Sequence, residues 1–398
     1  MLLKGLKVVE FASYIAAPGA ACMLGDWGAE VIKVERPGGD SMRHAFADVK
    51  SELVGNPTFD LDNRGKRSIV LDISKPEGRD ALATLAATAD VFITNVRMAA
   101  LKRAGLDEAT LRAANPKLVY AIVTGYGLEG PDAHRPGFDV TAFWGRAGVA
   151  NMMAPKGTEP FMLRSGFGDH TTTLATVSAI LAALYERAQT GVGRLVQTSL
   201  LATGVYVMGS DLAVQMKFGR LSSNRPRSNP LNPLANFYKS SEGRWFVVNP
   251  RGGNSDWARL ADVAGRPDLV TDERYATGRA RRDNTPALVL EFEAAFGAMT
   301  FEEIAAKLDA VDLVWAPVQT PAEVAADPQV MASGAIVQVE DGLGGTYPSP
   351  AAPARFPGAD ATVRPRSPLL GEHTRQVLTE IGYSETQIEA IFAAEAAA

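Results

Sequence analysis

Cysteine is almost missing from this chain. One thiol, Cys22, stands among 398 residues, which excludes an intramolecular disulfide and any cysteine-built metal cage. It lies in the apolar run AACMLG, where a buried small hydrophobe is the expected role and a reactive thiol the alternative. Histidine is scarce as well. His44, His134, His170 and His373 are scattered without metal-ligand spacing, so no metal site is expected. Positive charge is not in excess either. A net charge of -5 gives no general attraction to nucleic acid or to an anionic membrane. Any anionic ligand must be gripped by a local cluster of Arg and Lys. The longest nearly apolar stretch, residues 174–184, falls short of the roughly 18 residues a membrane span needs. The start, MLLKGLKVVEF, shows neither the long apolar core nor the small-residue cleavage site of a secretion signal, so a cytoplasmic setting is expected. No internal repeat is visible.

What is present is an ordinary globular composition, 46% hydrophobic and 21% charged, in a chain too long for one core. Two domains are therefore expected. Up to about residue 125, strand and helix patterns alternate. Residues 6–11, 30–34, 68–73, 91–94 and 118–123 read as strands, with a small-residue helix at 20–28. Ser74 and Pro76 mark another helix start. Strands alternating with helices pair in parallel and are covered on both faces. The fold class is thus α/β, a Rossmann-like doubly wound sheet. Leu174, Val177, Leu181 and Leu184 recur at helical spacing up to a stop at Gly191. A strand-like RLVQTSLL and a second helical segment follow.

Residues 1–220 therefore form the large domain, completed by 335–398. Residues 221–233, rich in Ser, Asn, Pro and Arg, form a linker. A smaller α+β domain spans 234–320, and a second linker spans 321–334. The first strand-to-helix turn reads ASYIAAPGA, with one glycine and no GxGxxG. A dinucleotide site of the Rossmann kind is not expected there.

Basic residues gather where strands end: Arg36 after the second strand, Lys66 and Arg67 before the third, Arg97 and Arg103 beyond Asn95. Ligands of open α/β sheets collect at the carboxyl ends of strands. Arg36, Asn95, Arg97 and Arg103 can therefore converge on a phosphate-bearing molecule. The alternative is a solvated rim of charge. Asp169, in GFGDHTTT just ahead of an alanine- and leucine-rich helix, reads either as a helix cap or as a nucleophile.

Six runs, in order along nearly the whole chain, carry a resemblance: LKVVEFASYIAAPGAACMLGDWGAEVIKVERPGGD, NRGKRSIVLDISKPEGR, ITNVRMAALKRAG, YAIVTGYGLEGP, GFGDHTTT and PLLGEHTRQVLTEIGYS. The chain resembles class III coenzyme A transferases, the family of formyl-CoA, crotonobetainyl-CoA and 2-hydroxyacyl-CoA transferases. The resemblance implies that coenzyme A or its acyl ester is a substrate and that no cofactor is tightly bound. It places Ile15, Ala16, Arg36, Leu71, Ile73, Ser74, Asn95, Arg97, Arg103 and Phe138 at the CoA. It makes Asp169 the nucleophile that carries CoA through anhydride and aspartyl-CoA thioester intermediates. It also implies an interlocked homodimer. Gly252 and Gly253, in NPRGGNSDW, resemble the family's glycine-rich active-site loop. An ordinary turn after a strand is the alternative for them.

Two rivals remain. An α-methylacyl-CoA racemase of the same fold exchanges a proton through a His and Asp pair. In GFDVTAF, however, Phe138 rather than His precedes Asp139. A non-catalytic CoA-ester-binding protein would need neither Asp169 nor the glycine pair. Ile15 stands where formyl-CoA transferases carry glutamine, which points away from formate and oxalate. Trp144, Met152, Met153, Phe161 and Met162 are candidates for lining a pocket for a medium-sized organic acid, with plain core packing as the alternative.

Overall fold

Six short apolar strands, β1 (Lys7–Phe11), β2 (Glu30–Glu35), β3 (Arg67–Val70), β4 (Val91–Thr94), β5 (Val119–Thr124) and β6 (Leu195–Ser199), form one sheet in a computed structural model of the chain. The structure describes residues 1–45, 56–251, 254–358 and 363–397. All pairings in this sheet are parallel, in the order β3-β2-β1-β4-β5-β6. The strand order, not the chain direction, reverses at the boundary of β1 and β4, the switch point at which doubly wound sheets hold ligands.

Alternate side chains of each strand feed two separate cores. Val9, Ile32, Ile69, Phe92 and Tyr120 point into one. That core is closed by α3 (Pro76–Ala87), α4 (Met98–Ala104), α5 (Glu108–Ala114) and the final helices Thr374–Glu380 and Glu385–Ala393. Val8, Val31, Val91, Ile93 and Val119 point into the other, against α1 (Ala16–Asp26) and α7 (Phe167–Thr190). Between these stand α2 (Pro57–Asn63) and α6 (Val149–Met153), and α7 is followed by α8 (Leu200–Val207) and α9 (Gly209–Phe218). Helix α1 is built from Ala, Gly and Cys on its buried side, so α7 packs closely against it.

The chain divides into two compact units: one of Met1–Asn151, Phe161–Leu221 and Ala332–Ala398, the other of Met152–Pro160 and Ser222–Met331. The smaller unit has an antiparallel three-stranded sheet (Asn236–Lys239, Trp245–Val248, Trp315–Pro317). Its core is rich in aromatics, with Tyr238, Phe246, Trp257, Phe292 and Phe296 nearly wholly buried. Residues 321–334, expected as a linker, carry the helices Pro321–Ala326 and Pro328–Ser333. A reciprocal cap between Thr320 and Glu323 starts the first of them. Among the described residues no helix is long and apolar enough to cross a membrane.

One side chain of β1 breaks its apolar pattern. Glu10 is fully buried and binds Lys33 Nζ at 2.7 Å and Lys66 Nζ at 2.6 Å. Lys33 also meets Asp40 at 2.9 Å. Burial pushes the Lys33 ammonium down in pKa, but Glu10, Asp40 and Glu35 outweigh it and hold it raised. Burial wins at Lys66, which is lowered. Lys33→Met would leave Glu10 and Asp40 buried with less positive charge. We expect it to cost on the order of 3–5 kcal/mol in urea unfolding.

Candidate active site

The turn before α7 needs its glycines. Gly166 is the N-cap residue and holds φ +85°, the left-handed region that favours glycine. Gly168 has no room for a side chain: a Cβ there would stand 2.3 Å from Asp139 Oδ1 and 2.4 Å from the Phe143 ring. Asp139 and Phe143 belong to a π-helical segment, Asp139–Arg146, against which the first turn of α7 is pressed. No residue of this turn caps α7 through its side chain. Asp139 does so from outside, its Oδ2 accepting the Gly168 N–H at 3.1 Å. The capping role open to Asp169 therefore belongs to Asp139. Asp169 sits inside the first turn, half-buried, and its carboxylate accepts no hydrogen bond among the described residues.

Charge around Asp169 is crowded. Burial, and then the neighbouring Asp139 carboxylate, push Asp169 from its ordinary 3.8 up to about 7, with His170 opposing and Asp62 adding to the rise. Burial likewise raises Asp139 against the N–H groups of Gly168, Asp169 and Gly166. His170 Nε2 stands 3.1 Å from Asp62 Oδ1. That bond, with the charges of Asp62, Asp169 and Asp139, raises the imidazole despite its burial. Asp62 is itself buried in α2, and its Oδ2 has no hydrogen-bond partner among the described residues.

The β1–α1 turn lies against this one. The Ile15 side chain comes within 3.4 Å of where a Cβ on Gly166 would be. Thr173 of α7 donates its hydroxyl to the Ala16 carbonyl at 2.8 Å. Ile15 and Ala16 are thus brought to the Asp169 turn. Asn95, beyond β4, clasps Ser13 at both backbone groups: Oδ1 accepts its N–H at 3.1 Å and Nδ2 donates to its carbonyl at 2.6 Å. Tyr14 next to it holds φ +70°, and its N–H is taken by Asp40 Oδ1 at 3.1 Å. Its ring meets Phe138 edge-on at 5.3 Å, and both rings are largely exposed.

Arg36, Arg97 and Arg103 are exposed at the carboxyl side of β2 and β4. Arg36 makes only two long contacts, to Gly39 and Ser41. Arg97 and Arg103 have no side-chain partner among the described residues. Ser74 is exposed and Ile73 half-buried. Leu71 is wholly buried in the core, so only its backbone is left to meet a ligand. Gly252 and Gly253 lie outside the described residues. Trp144 is buried and donates Nε1–H to the Phe161 carbonyl at 2.8 Å, while Phe161 and Met162 stand exposed. Met152 and Met153 fall in the smaller unit. Trp144, Phe161 and Met162 belong to the larger unit.

The site contacts that sequence reasoning missed are long-range: Asp139 to Gly168, Asp62 to His170, Asp40 to Tyr14. The adjacency of Asp and His in GFGDHTTT was the one local signal for any of them.

Known proteins resemble this chain over nearly its whole length. The profile of CoA-transferase family III matches residues 3–374. The (R)-2-hydroxy-4-methylpentanoate CoA-transferase of Clostridioides difficile is 35% identical over 98% of this chain and 97% of its own. The cinnamoyl-CoA:phenyllactate CoA-transferase of Clostridium sporogenes is 35% identical over 98% and 95%. A crystal structure of a CaiB/BaiF family protein from Brucella suis overlays with a TM-score of 0.85 at 33% identity, covering 95% of this chain and 99% of that one. A family match over almost the whole length, an end-to-end likeness to named enzymes and a shared architecture lead to one conclusion: this chain is an enzyme of CoA-transferase family III.

Proposed function

We propose that this enzyme moves coenzyme A from an acyl-CoA donor to a carboxylic acid, with Asp169 as the covalent way-station. One observation carries the reading. Asp169 is the carboxylate at this turn that no capping bond engages, and it is fixed beside Ile15 and Ala16 on a sheet edge with three arginines that have no carboxylate partner among the described residues. Arg36, Arg97 and Arg103 hold the phosphates, with Asn95, Ser74 and Phe138 shaping the nucleotide end.

Each step conserves the thioester energy. An Asp169 oxygen attacks the donor thioester carbonyl, and the tetrahedral adduct expels CoA thiolate, leaving a mixed anhydride. The thiolate attacks the Asp169 carbonyl of that anhydride, forming aspartyl-CoA and releasing the donor acid as its carboxylate. The acceptor carboxylate attacks this thioester, again expelling CoA thiolate and forming a second anhydride. Thiolate attack on the acceptor's carbonyl makes the new acyl-CoA and frees Asp169. Every adduct carries an oxyanion, which backbone N–H groups stabilise. Gly252 and Gly253 are our candidates for that role.

The two relatives are named for a branched 2-hydroxy acid and for phenyllactate, which supports a medium-sized acid here. An exposed apolar row on α8 and α9, including Tyr206, Met216 and Phe218, supports the homodimer, interlocked as in the family. The cytoplasm is the proposed site of action.

Incubation with a panel of acyl-CoA donors should give a hydroxylamine- and borohydride-sensitive adduct at Asp169. Asp169→Ala should lose it, together with roughly three orders of magnitude or more of turnover. A fully active Asp169→Ala enzyme overturns the reading. Deuterium uptake at the α-carbon without an acceptor acid would instead mark a racemase.

The free carboxylate is the nucleophile, so log kcat/KM for acyl-CoA should rise with unit slope to a break near pH 7. Asp139→Asn keeps an oxygen for Gly168 but removes the charge, and should move that break to lower pH. Stability runs the other way. A carboxyl group raised in the fold stabilises it below its ordinary 3.8, and this benefit is lost as pH rises through about 7. Asp169→Asn should therefore be more stable than the parent at about pH 8, by on the order of 1–3 kcal/mol in thermal unfolding.

A further inference from the structure

Tyr14 is out of place on the β1–α1 turn. Its backbone holds φ +70°, a region that bulky side chains rarely occupy because the Cβ crowds the following carbonyl. Asp312 and Glu395 share the region among the described residues, and neither is aromatic. A residue in so unfavourable a conformation persists only where its surroundings over-determine it. Here they do. Asn95 holds Ser13 at both backbone groups, Asp40 accepts the Tyr14 N–H at 3.1 Å, and Thr173 binds the Ala16 carbonyl at 2.8 Å. Glycine would take the same turn without strain.

All of this restraint presents a side chain to solvent. The Tyr14 ring is 42% exposed, and the Phe138 ring that meets it edge-on is 54% exposed. Two half-open rings on a fixed base form an apolar contact surface. The neighbours of Tyr14 give its direction. Ser13 is clasped by Asn95, in the run that leads to Arg97 and the proposed nucleotide end. Ile15 reaches the Asp169 turn, 3.4 Å from where a Cβ on Gly166 would be. Tyr14 is placed between the two ends of the site.

We infer that the Tyr14 ring, with Phe138 beside it, holds the uncharged pantetheine arm of coenzyme A, and that the left-handed backbone serves to aim it there. The inference rests on the reading that CoA binds at these strand ends with its sulfur at Asp169. The arm has to cross from the phosphates, which the arginines take, to the sulfur. It offers methyl and amide groups that pack on aromatic rings, and no charge for an ionised side chain to hold. Glycine at this position would keep the turn and lose the wall.

Calorimetric titration separates the two ends of CoA. The probes are CoA and 3′-phospho-ADP, its nucleotide half without the arm. Tyr14→Gly should raise the Kd of CoA about tenfold, the contact of one ring, and leave that of the nucleotide within about twofold. It should unfold at the parent's temperature or above it, because the strain at φ +70° is relieved. A tyrosine that merely supported the loop would give the opposite: a lower unfolding temperature, with both ligands weakened alike. Tyr14→Asn, which tolerates the same backbone, should lose CoA affinity as the glycine variant does. Tyr14→Phe should keep it within about threefold.

If the parent binds CoA and the Gly and Asn variants leave that Kd unchanged, or weaken nucleotide binding as much, the inference fails while the CoA site stands. If the parent binds neither probe, the strand ends are not a CoA site and the inference falls with that reading. At saturating acyl-CoA the Asp169 adduct should still form in Tyr14→Gly, so failure of the covalent reading shows separately, as an adduct missing from the parent too.

Discussion

A carboxylate buried in the middle of a parallel sheet sets the shape of everything at its edge. Glu10 lies among valines, where an unpaired charge would be driven to neutralise. Two lysines make its burial possible. Both have donors to spare, and they spend them on the loop above: Lys33 on the Ala12 carbonyl at 3.3 Å, Lys66 on the Pro18 carbonyl at 2.9 Å. The ion cluster thus grips both ends of the β1–α1 loop. Asp40, at the far side of Lys33, takes the Tyr14 N–H in the middle. A non-glycine residue at φ +70° costs on the order of 1–3 kcal/mol, and it persists here because the loop is held at three points. Hydrophobic residues in place of the cluster would pack as well. They would not reach the carbonyls.

From that loop the constraint passes to α7. Ala16 offers its carbonyl to Thr173, and Gly19 allows the approach, since a Cβ there would stand 2.8 Å from Thr173 Oγ1. On its other side α7 is pressed against the π-helical segment through Gly168. The first turn is therefore located by contacts on two sides rather than by a cap of its own. That division of labour matters for chemistry. A capping carboxylate is engaged by N–H groups, which oppose the rise that burial imposes on Asp139. With Asp139 taking the cap, Asp169 has no such bonds among the described residues, and burial raises it to about 7.

The large sheet was legible because its strands are short apolar runs separated by helix signals, and parallel sheets write that pattern plainly. The position of Arg36, Arg97 and Asn95 beyond strand ends was legible in the same pattern. What escaped was whatever depends on two distant segments meeting. Asp62 and His170 are 108 residues apart and Asp139 and Gly168 are 29 apart, and neither pairing leaves a periodicity. Asp169 and Asp139 each precede a helical pattern, so local rules could not say which carboxylate would cap. The bond from Trp144 to the Phe161 carbonyl, 17 residues on, leaves no periodicity either. Residues 321–334 were read as a linker, yet Pro at a first helical position, as at Pro321, is a start signal as much as a break.

The layout of charge explains how an acidic protein handles anionic substrates. Arginines without carboxylate partners among the described residues lie at the strand ends, where the proposed function puts the nucleotide. The carboxylates Asp62, Asp139 and Asp169 lie around the start of α7, and they raise the pKa of His170 beside them. An acid approaching this end finds repulsion unless it is drawn toward the imidazole, and repulsion is useful after transfer, when the released acid carries a full charge beside a restored Asp169. In the proposed cycle CoA, anchored by its phosphates, stays while the acids exchange. Strong binding at one end and weak binding at the other is the arrangement a carrier of CoA between acids requires, because binding both tightly would slow the exchange of acids without lowering the barrier.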